Sequence, residues 1–356
     1  MKKIALTFGI LLIMSVTCFG VGIGMGLRSA AMGGAGIALA NDTSAAYLNP
    51  AGLMSAPDGF ISQAYFGTAS NNMEEVFKAL SSGDSFITDY FDKEVVGNAT
   101  VTGGLGFGIN KVGFAVIADG LFEFNKPKDS LNIDYTGALT ETFPITIGTN
   151  YSLFMLPEVA FGMNIKPIAQ QAVVTSITSS GATGTGSTDI ALGSGFGIDV
   201  GAQTKITPWL TAGVVVRNLV SSINSDVTST GLKVYYTGTV ETTGEIKRTG
   251  NTSLPMEVGV GVASIIPATG TILAADMEMY GLNNTSYTDL HLGVEQKLLF
   301  NVLALRMGYY TYGPLSDSYY TIGAEINMGF ELGISSANSV TDSTNNVIMF
   351  GFGSAI

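Results

Sequence analysis

One cysteine, one histidine and a charged fraction of 12% are what this chain of 356 residues has least of. Ordinary globular domains carry roughly 25% charged residues. With Cys18 alone, no intrachain disulfide and no thiolate metal cluster can form. With His291 as the sole imidazole, a His-based zinc site lacks its ligands, and neither G-x-S-x-G nor G-x-x-x-x-G-K occurs, so triad and P-loop chemistry lack their parts. Beyond the N-terminus no run approaches the ~20 unbroken apolar residues of a spanning helix. The formal net charge of −12 argues against nucleic acid as a partner.

What is present is a leader and a rhythm. Lys2 and Lys3, the apolar run Ile4 to Met14 and the small residues up to Gly20 have the layout of a secretory signal peptide, 1–20, with cleavage after Gly20. Acylation at Cys18 would need a lipobox, which Ser15, Val16 and Thr17 fit poorly. Loss of Lys2 and Lys3 takes the net charge from −12 to −14. The remainder is rich in glycine, 46 residues in all, and alternates. Phe196, Ile198, Val200, Ala202, Thr204 and Ile206 share one face of a strand, and Gly197, Asp199, Gly201, Gln203 and Lys205 the other. Leu290, Leu292, Val294 and Leu298 oppose Asp289, His291, Glu295 and Lys297 in the same way, as Leu303, Leu305 and Met307 oppose Arg306 and Gly308. An exported chain with an apolar face alternating with a polar or glycine face is the pattern of a transmembrane β-barrel.

Strands are predicted near 60–68, 100–109, 112–122, 141–152, 158–167, 195–206, 209–219, 255–266, 271–280, 288–299, 302–311, 318–327, 330–338 and 347–355. Short links alternate with the long segments 69–99, 168–194 and 220–254, as in bacterial barrels, whose turns are short on one side and whose strand number is even. The stretch Tyr320 to Ile334 alternates without a break, and parity places a turn at Met328-Gly329. The fold class is therefore all-β, an antiparallel transmembrane barrel of about 14 strands with both termini on the periplasmic side. Met73, Val76, Phe77 and Leu80 have helical spacing inside the first long segment. The Thr-, Ser- and Gly-rich segments 174–189 and 221–254 read as mobile loops with possible strand extensions. Tyr309, Tyr310, Tyr312, Tyr319 and Tyr320 read as an aromatic girdle. Luminal glycines such as Gly104, Gly106, Gly108, Gly259 and Gly261 leave room inside, and Gly293 and Gly308 are expected to accept a small polar residue more readily than lipid-facing Leu292 or Leu305 accepts arginine.

The polar residues on the luminal face are Asp276, Glu278, His291, Glu295, Lys297, Arg306 and Glu325. Buried charges must be paired or solvated, so these read as a structural network across neighbouring strands. Asp289 lies one strand period from His291, but no serine completes a hydrolytic set, and no catalytic residue, metal or cofactor is assigned.

The segment LRSAAMGGAGIALANDTSAAYLNPAGL, Leu27 to Leu53, resembles the start of mature FadL-type outer-membrane proteins and their PorV-like and TraF-like relatives. The matching positions are Gly33, Gly34, Gly36, Asn41, Asp42, Asn49, Pro50 and Ala51. PWLTAGVVVRNL (208–219), SLPMEVGVGVA (253–263) and NVLALRMGYY (301–310) resemble the PorV-like and TraF-like branch, although Ile356 departs from the terminal aromatic of many such barrels. The resemblance implies a small helical hatch, 21–58, inside a fourteen-stranded barrel, 59–356, in the outer membrane of a diderm bacterium. It also implies one of two functions: passive uptake of hydrophobic, fatty acid-like small molecules, or service in protein secretion, surface attachment or envelope assembly through secreted or envelope protein partners.

Overall fold

In the computed structural model, residues 26–57, 59–82, 86–109, 111–152, 157–281, 286–313, 317–341 and 346–355 are described. The leader and Asn110 lie outside them. The chain forms a closed antiparallel barrel of 14 strands. These are β1 (Phe60–Asn71), β2 (Val95–Ile109), β3 (Val112–Lys126), β4 (Ile133–Thr142 and Ile145–Tyr151), β5 (Val159–Ser180), β6 (Thr183–Thr207) and β7 (Leu210–Tyr235). The circuit continues with β8 (Val240–Thr252 and Glu257–Ile265), β9 (Ile272–Tyr280), β10 (Tyr287–Leu298), β11 (Leu303–Tyr312), β12 (Asp317–Asn327), β13 (Glu331–Ser339) and β14 (Asn346–Ala355). Each strand pairs with its sequence neighbours, and β14 closes on β1 with Ala64 opposite Phe352. Closure leaves no free edge around the ring, the condition for backbone to sit in hydrocarbon.

Both interrupted strands break at a proline, which cannot donate to a ladder. In β4 the gap is spanned by Ala115 N donating to the Pro144 carbonyl at 3.0 Å and Phe143 N to the Pro167 carbonyl at 3.0 Å. In β8 the gap holds Pro255, whose carbonyl accepts from Asn218 Nδ2 at 3.0 Å. Asn218 itself has a φ of 54°, in a bulge of β7 that shifts its register against β6 between Ile198 and Val200.

The alternation reads directly onto the two faces. Leu292, Leu305 and Phe350 are 40, 44 and 53% exposed on the outside, while Glu295 and Arg306 are 0 and 4% exposed inside. At one end the turns are short: Gly329 has a φ of 86° between β12 and β13, and Leu299, Phe300 and Asn301 all lie at φ between 50 and 71° between β10 and β11. At the other end β5, β6 and β7 run to 22, 25 and 26 residues. Segments 168–194 and 220–254 are thus mostly paired strand, since polar Thr and Ser satisfy a ladder as well as any residue does. β3 and β4 are also longer than their alternation indicates.

A helix, α2 (Met73–Ser81), and a second, α3 (Phe86–Tyr90), follow β1. They cover Phe122, Phe124, Tyr135 and Val173 in one apolar cluster. Phe122 and Phe124 share the strand parity of outward Phe114 and Val116 in an unbroken register, so the helices shield the outer apolar face where it rises beyond the membrane band.

The tyrosines divide. Tyr309 and Tyr320 point outward, 37 and 51% exposed, whereas Tyr310 and Tyr319 are fully buried in the lumen and stack at 4.9 Å between centroids. Consecutive residues of a strand cannot share a face, so the expected girdle is only partly an outer one.

Because Leu292 lies on the outer face, Leu292→Arg is expected to cost about 2–4 kcal/mol near the midplane. Urea unfolding of the purified protein in phospholipid vesicles measures it; stability equal to wild type would overturn the register.

Candidate functional site: the filled lumen

Residues 26–57 lie inside the barrel as a small folded insert. A five-residue helix, α1 (Leu27–Ala31), is followed by Gly33 and Gly34 at φ of 67 and 85° and then by two 3-10 turns, Thr43–Ala46 and Pro50–Ser55. Each turn has its own start signal. Asp42 accepts from Ser44 N at 2.7 Å, and Asn49 from Ala51 N at 3.2 Å with Pro50 as the first helical residue. Asn49, fully buried, also donates from Nδ2 to the Ile37 carbonyl at 3.0 Å and the Ala202 carbonyl of β6 at 3.1 Å. Asn41 is exposed.

The insert has little regular structure of its own, so its backbone groups need partners from elsewhere. Wall side chains supply them. Asp276 Oδ2 accepts from Gly36 N at 2.6 Å and Ile37 N at 2.8 Å. His291 Nδ1 lies 2.7 Å from the Gly33 carbonyl, which can only accept, so this nitrogen carries the proton. Thr321 Oγ1 accepts from Gly33 N and donates to the Ala31 carbonyl, both at 2.9 Å. Arg217 donates from Nε to the Tyr47 carbonyl at 2.8 Å and from Nη2 to that of Leu48 at 3.1 Å. Asn164 Nδ2 donates to the Ala46 carbonyl at 2.7 Å, and Gln203 Nε2 to that of Ala40 at 3.2 Å.

The charged wall residues form three groups. Glu278 pairs with Arg217 at 3.1 Å and accepts from the Tyr280 hydroxyl, with Glu257 at 3.4 Å from the same guanidinium. Asp199 pairs with Lys166 at 2.7 Å. Glu295, fully buried, receives Arg28 of α1 on both oxygens at 2.9 Å and Arg306 at 2.7 Å, while Arg306 holds Glu325 bidentately at 2.9 Å. The lower network therefore runs through Arg28. Lys297, expected within it, is exposed, lines a cavity beside Glu295 and takes part in none of the described ion pairs. Asp289 Oδ1 accepts from Gly313 N at 2.7 Å, so Asp289 and His291 are each committed to backbone. Among the described residues no cluster of three His, Cys, Asp or Glu could hold a metal.

Glycines of the wall are where the insert touches it. A side chain at Gly293 would meet Met32 at 2.6 Å, one at Gly259 would meet Ile37 at 2.6 Å, and one at Gly308 would fall on the Met32–Gly33 peptide. The expectation that Gly293 and Gly308 would accept a small polar residue is thus corrected: their space is filled by backbone. Asn164, Arg217 and Thr321 were not singled out from the sequence, whereas Asp199 was placed on the polar face of its strand. Asn164, Arg217 and Thr321 lie on the luminal parity of their strands, Thr321 two residues from luminal Tyr319, and could have been found by that rule.

Above the insert, Tyr65, Tyr310, Tyr319, Val347 and Met349 form an apolar, aromatic patch resting on Ala30 and Leu27. Beside it, towards the short-turn end, a cavity of about 220 Å³ separates the insert from the wall.

No protein-family model and no curated protein matches the chain. Solved structures do. The Pseudomonas putida toluene transporter TodX aligns with a TM-score of 0.63 at 14% identity, covering 94% of this chain and 99% of that one. The Ralstonia pickettii toluene transporter TbuX gives 0.65 at 11% identity over 94 and 99% of the two chains. A Pseudomonas aeruginosa FadL homologue gives 0.61 at 12% identity over 95 and 98%. The chain has the fold of these channels. The likeness to the FadL-type fold extends over nearly the whole barrel circuit and the N-terminal insert together, which local strand patterns alone could not show. Resemblance to the PorV-like and TraF-like branch rests on those strand patterns only.

Proposed function

We propose that the protein is an outer-membrane channel for passive uptake of hydrophobic small molecules, with residues 26–57 as a hatch across its lumen and the long-hairpin end facing outward. The observation that carries this reading is the luminal patch on the hatch. Tyr310 and Tyr319 stack at 4.9 Å with an interplanar angle of 7°, and Met349, Val347 and Tyr65 extend the surface around them. The patch is buried against the hatch, so a solute would reach it only as the hatch shifts, and binding sites for apolar ligands are dominated by apolar and aromatic groups with few polar ones. The shared fold with toluene transporters supports the same class, although fold alone does not fix function. No step in this reading needs catalysis, a metal or a cofactor. Membrane lipid surrounds the apolar outer face.

Proteoliposomes loaded with a dye that fluoresces on capturing a hydrophobic aromatic probe test it. Uptake several-fold faster than in protein-free liposomes is expected, and equal rates would overturn the proposal. A second reading, contact with secreted or envelope proteins, is favoured by one observation. Val240–Thr252 pairs only with β7 and leaves its other side open as an exposed edge, a place where an extended peptide could add. Comparison of surface proteins between wild-type and deletion strains tests that reading.

A further inference from the structure

If the barrel conducts hydrophobic molecules, they must pass a hatch that is bound to the wall over most of its perimeter. Along β3 to β9 the contact is tight. Wall glycines 162, 201, 213 and 261 stand against Pro50, Asn49 and Ile37, with Asp276 also close to the last of them. Arg217, Asn164, Gln203 and Asp276 bond hatch backbone in the same arc. At Gly293 and Gly308 the hatch backbone lies directly on the wall. None of these contacts can open without stripping buried peptide groups of their partners, which is costly.

The remaining arc differs. Between the hatch and the wall made by β1 and the short-turn ends of β10 to β14 lies the cavity of about 220 Å³. Leu27, Leu39, Leu48 and Asp42 line it from the hatch, and Ile61 and Gln63 of β1 with Glu295, Arg306 and Glu325 from the wall. One charged hatch side chain crosses to the wall. Arg28 reaches Glu295 with Nε and Nη2, each at 2.9 Å, and it is the only hatch residue in an ion pair with the wall among the described residues. Its side chain is 23% exposed while that of Glu295 is fully buried. When Arg28 leaves, Arg306 still holds Glu295 at 2.7 Å but shares its single charge with Glu325, so an excess negative charge faces the opened cavity. Arg28 also has a second acceptor, Asn41 Oδ1 at 3.5 Å, on the hatch itself. On this arc Gln63 of β1 also donates to Asp42 at 3.0 Å and accepts from Thr43 at 2.9 Å, and Leu27 packs on Gly333 and Gly351, but among the described residues Arg28 makes the one ion pair, with a side chain that can swing without unfolding a segment.

We propose that this cavity is the passage around the hatch and that the Arg28–Glu295 pair is its gate. The proposal rests on the transport reading and deepens it by assigning where the ligand passes and what closes the way. Leu27, Leu39 and Leu48 of the hatch give a hydrophobic solute a surface to follow, and the ionic groups of the wall keep the opening narrow while the pair is made. Bidentate geometry matters here because a lysine would hold Glu295 through a single compact ammonium.

The test uses the full-length protein in planar bilayers and in proteoliposomes. Arg28→Gln is expected to raise ion conductance at least fivefold over wild type, and Arg28→Lys to fall between the two. Unchanged conductance in a folded, heat-modifiable Arg28→Gln would overturn the gate. Lys297→Cys, which lines the cavity without touching the pair, is measured before and after a bulky thiol reagent. Labelling should cut uptake of the hydrophobic probe by more than half, whereas the same reagent at Thr207→Cys, on a short turn across the barrel, should not. Equal effects at both positions, or none at Lys297→Cys while the probe still enters, would place the passage elsewhere and leave transport standing. Raised conductance in Arg28→Gln with no probe uptake in any form would keep the gate and reject hydrophobic transport. Should Arg28→Gln fail to fold, the labelling comparison decides alone.

Discussion

Gly308→Val is expected to prevent the hatch from seating. The added side chain would fall on the peptide between Met32 and Gly33. Gly33 cannot yield, because its own Cα faces the Tyr309 backbone, where a Cβ would come within 2.6 Å of both N and O. Two backbones in contact through paired glycines have no flexible side chain to give way, so the ordinary overpacking cost of about 1–3 kcal/mol is a lower bound. Displacement would also break the bonds of Gly33 to Thr321 and His291. The β-ladder between β10 and β11 does not depend on the lumen, so the barrel should still form. Gly308→Val should therefore run as a heat-modifiable barrel yet conduct many times more than wild type in planar bilayers. Gly250→Ala is the control: nothing lies within 4 Å of its added Cβ, and a change within about 0.5 kcal/mol is expected at such a surface position. A closed, wild-type-like Gly308→Val channel would mean that the hatch does not rest on this wall.

The same glycines show what could and could not be read from the chain. Alternation is a local property, so the faces of Leu292 and Glu295 and the strand count follow from period two and from the parity of short and long links. The turn at Met328-Gly329 depended on parity alone, since no local break marks it. Above the membrane the constraint of an apolar outer face lapses, and β5, β6 and β7 continue as polar ladders whose composition resembles that of loops. The interior is less legible still. Asp276 and Glu295 could be placed on the luminal face, but their partners, Gly36, Ile37 and Arg28, lie more than 230 residues away in sequence. A gap of that length carries no periodic signal. For the same reason Lys297 was the expected partner in the lower network and Arg28 is the observed one. The tyrosine cluster misled because composition marks a girdle, whereas parity splits it.

Removal of residues 27–53 should convert the nearly closed protein into an open one, and the structure says why the barrel can survive. The charged residues left behind on the wall keep partners. Arg217 keeps Glu278 and Glu257, Arg306 keeps Glu295 and Glu325, and Lys166 keeps Asp199, so the ion pairs of the wall remain complete apart from Arg28. Asp276, His291, Asn164 and Gln203 lose backbone partners on the hatch, but water entering the emptied lumen can replace them, since a group returned to solvent no longer carries the cost of unpaired burial. Apolar contacts are lost on both sides: Ile37, Leu48 and Leu53 leave with the segment, and Tyr310, Tyr319 and Met349 of the wall are uncovered. Closure between β14 and β1 and the ladders around the ring are untouched. The variant should hence stay heat-modifiable and show a steady conductance many times that of the full-length protein. Its uptake of the hydrophobic probe should be fast and insensitive to the thiol label at position 297, because the whole lumen is then available. A chain that cannot fold without 27–53 would show instead that the segment is part of the barrel's core. Its glycine contacts and capped turns would then be needed to form the wall, not to block it.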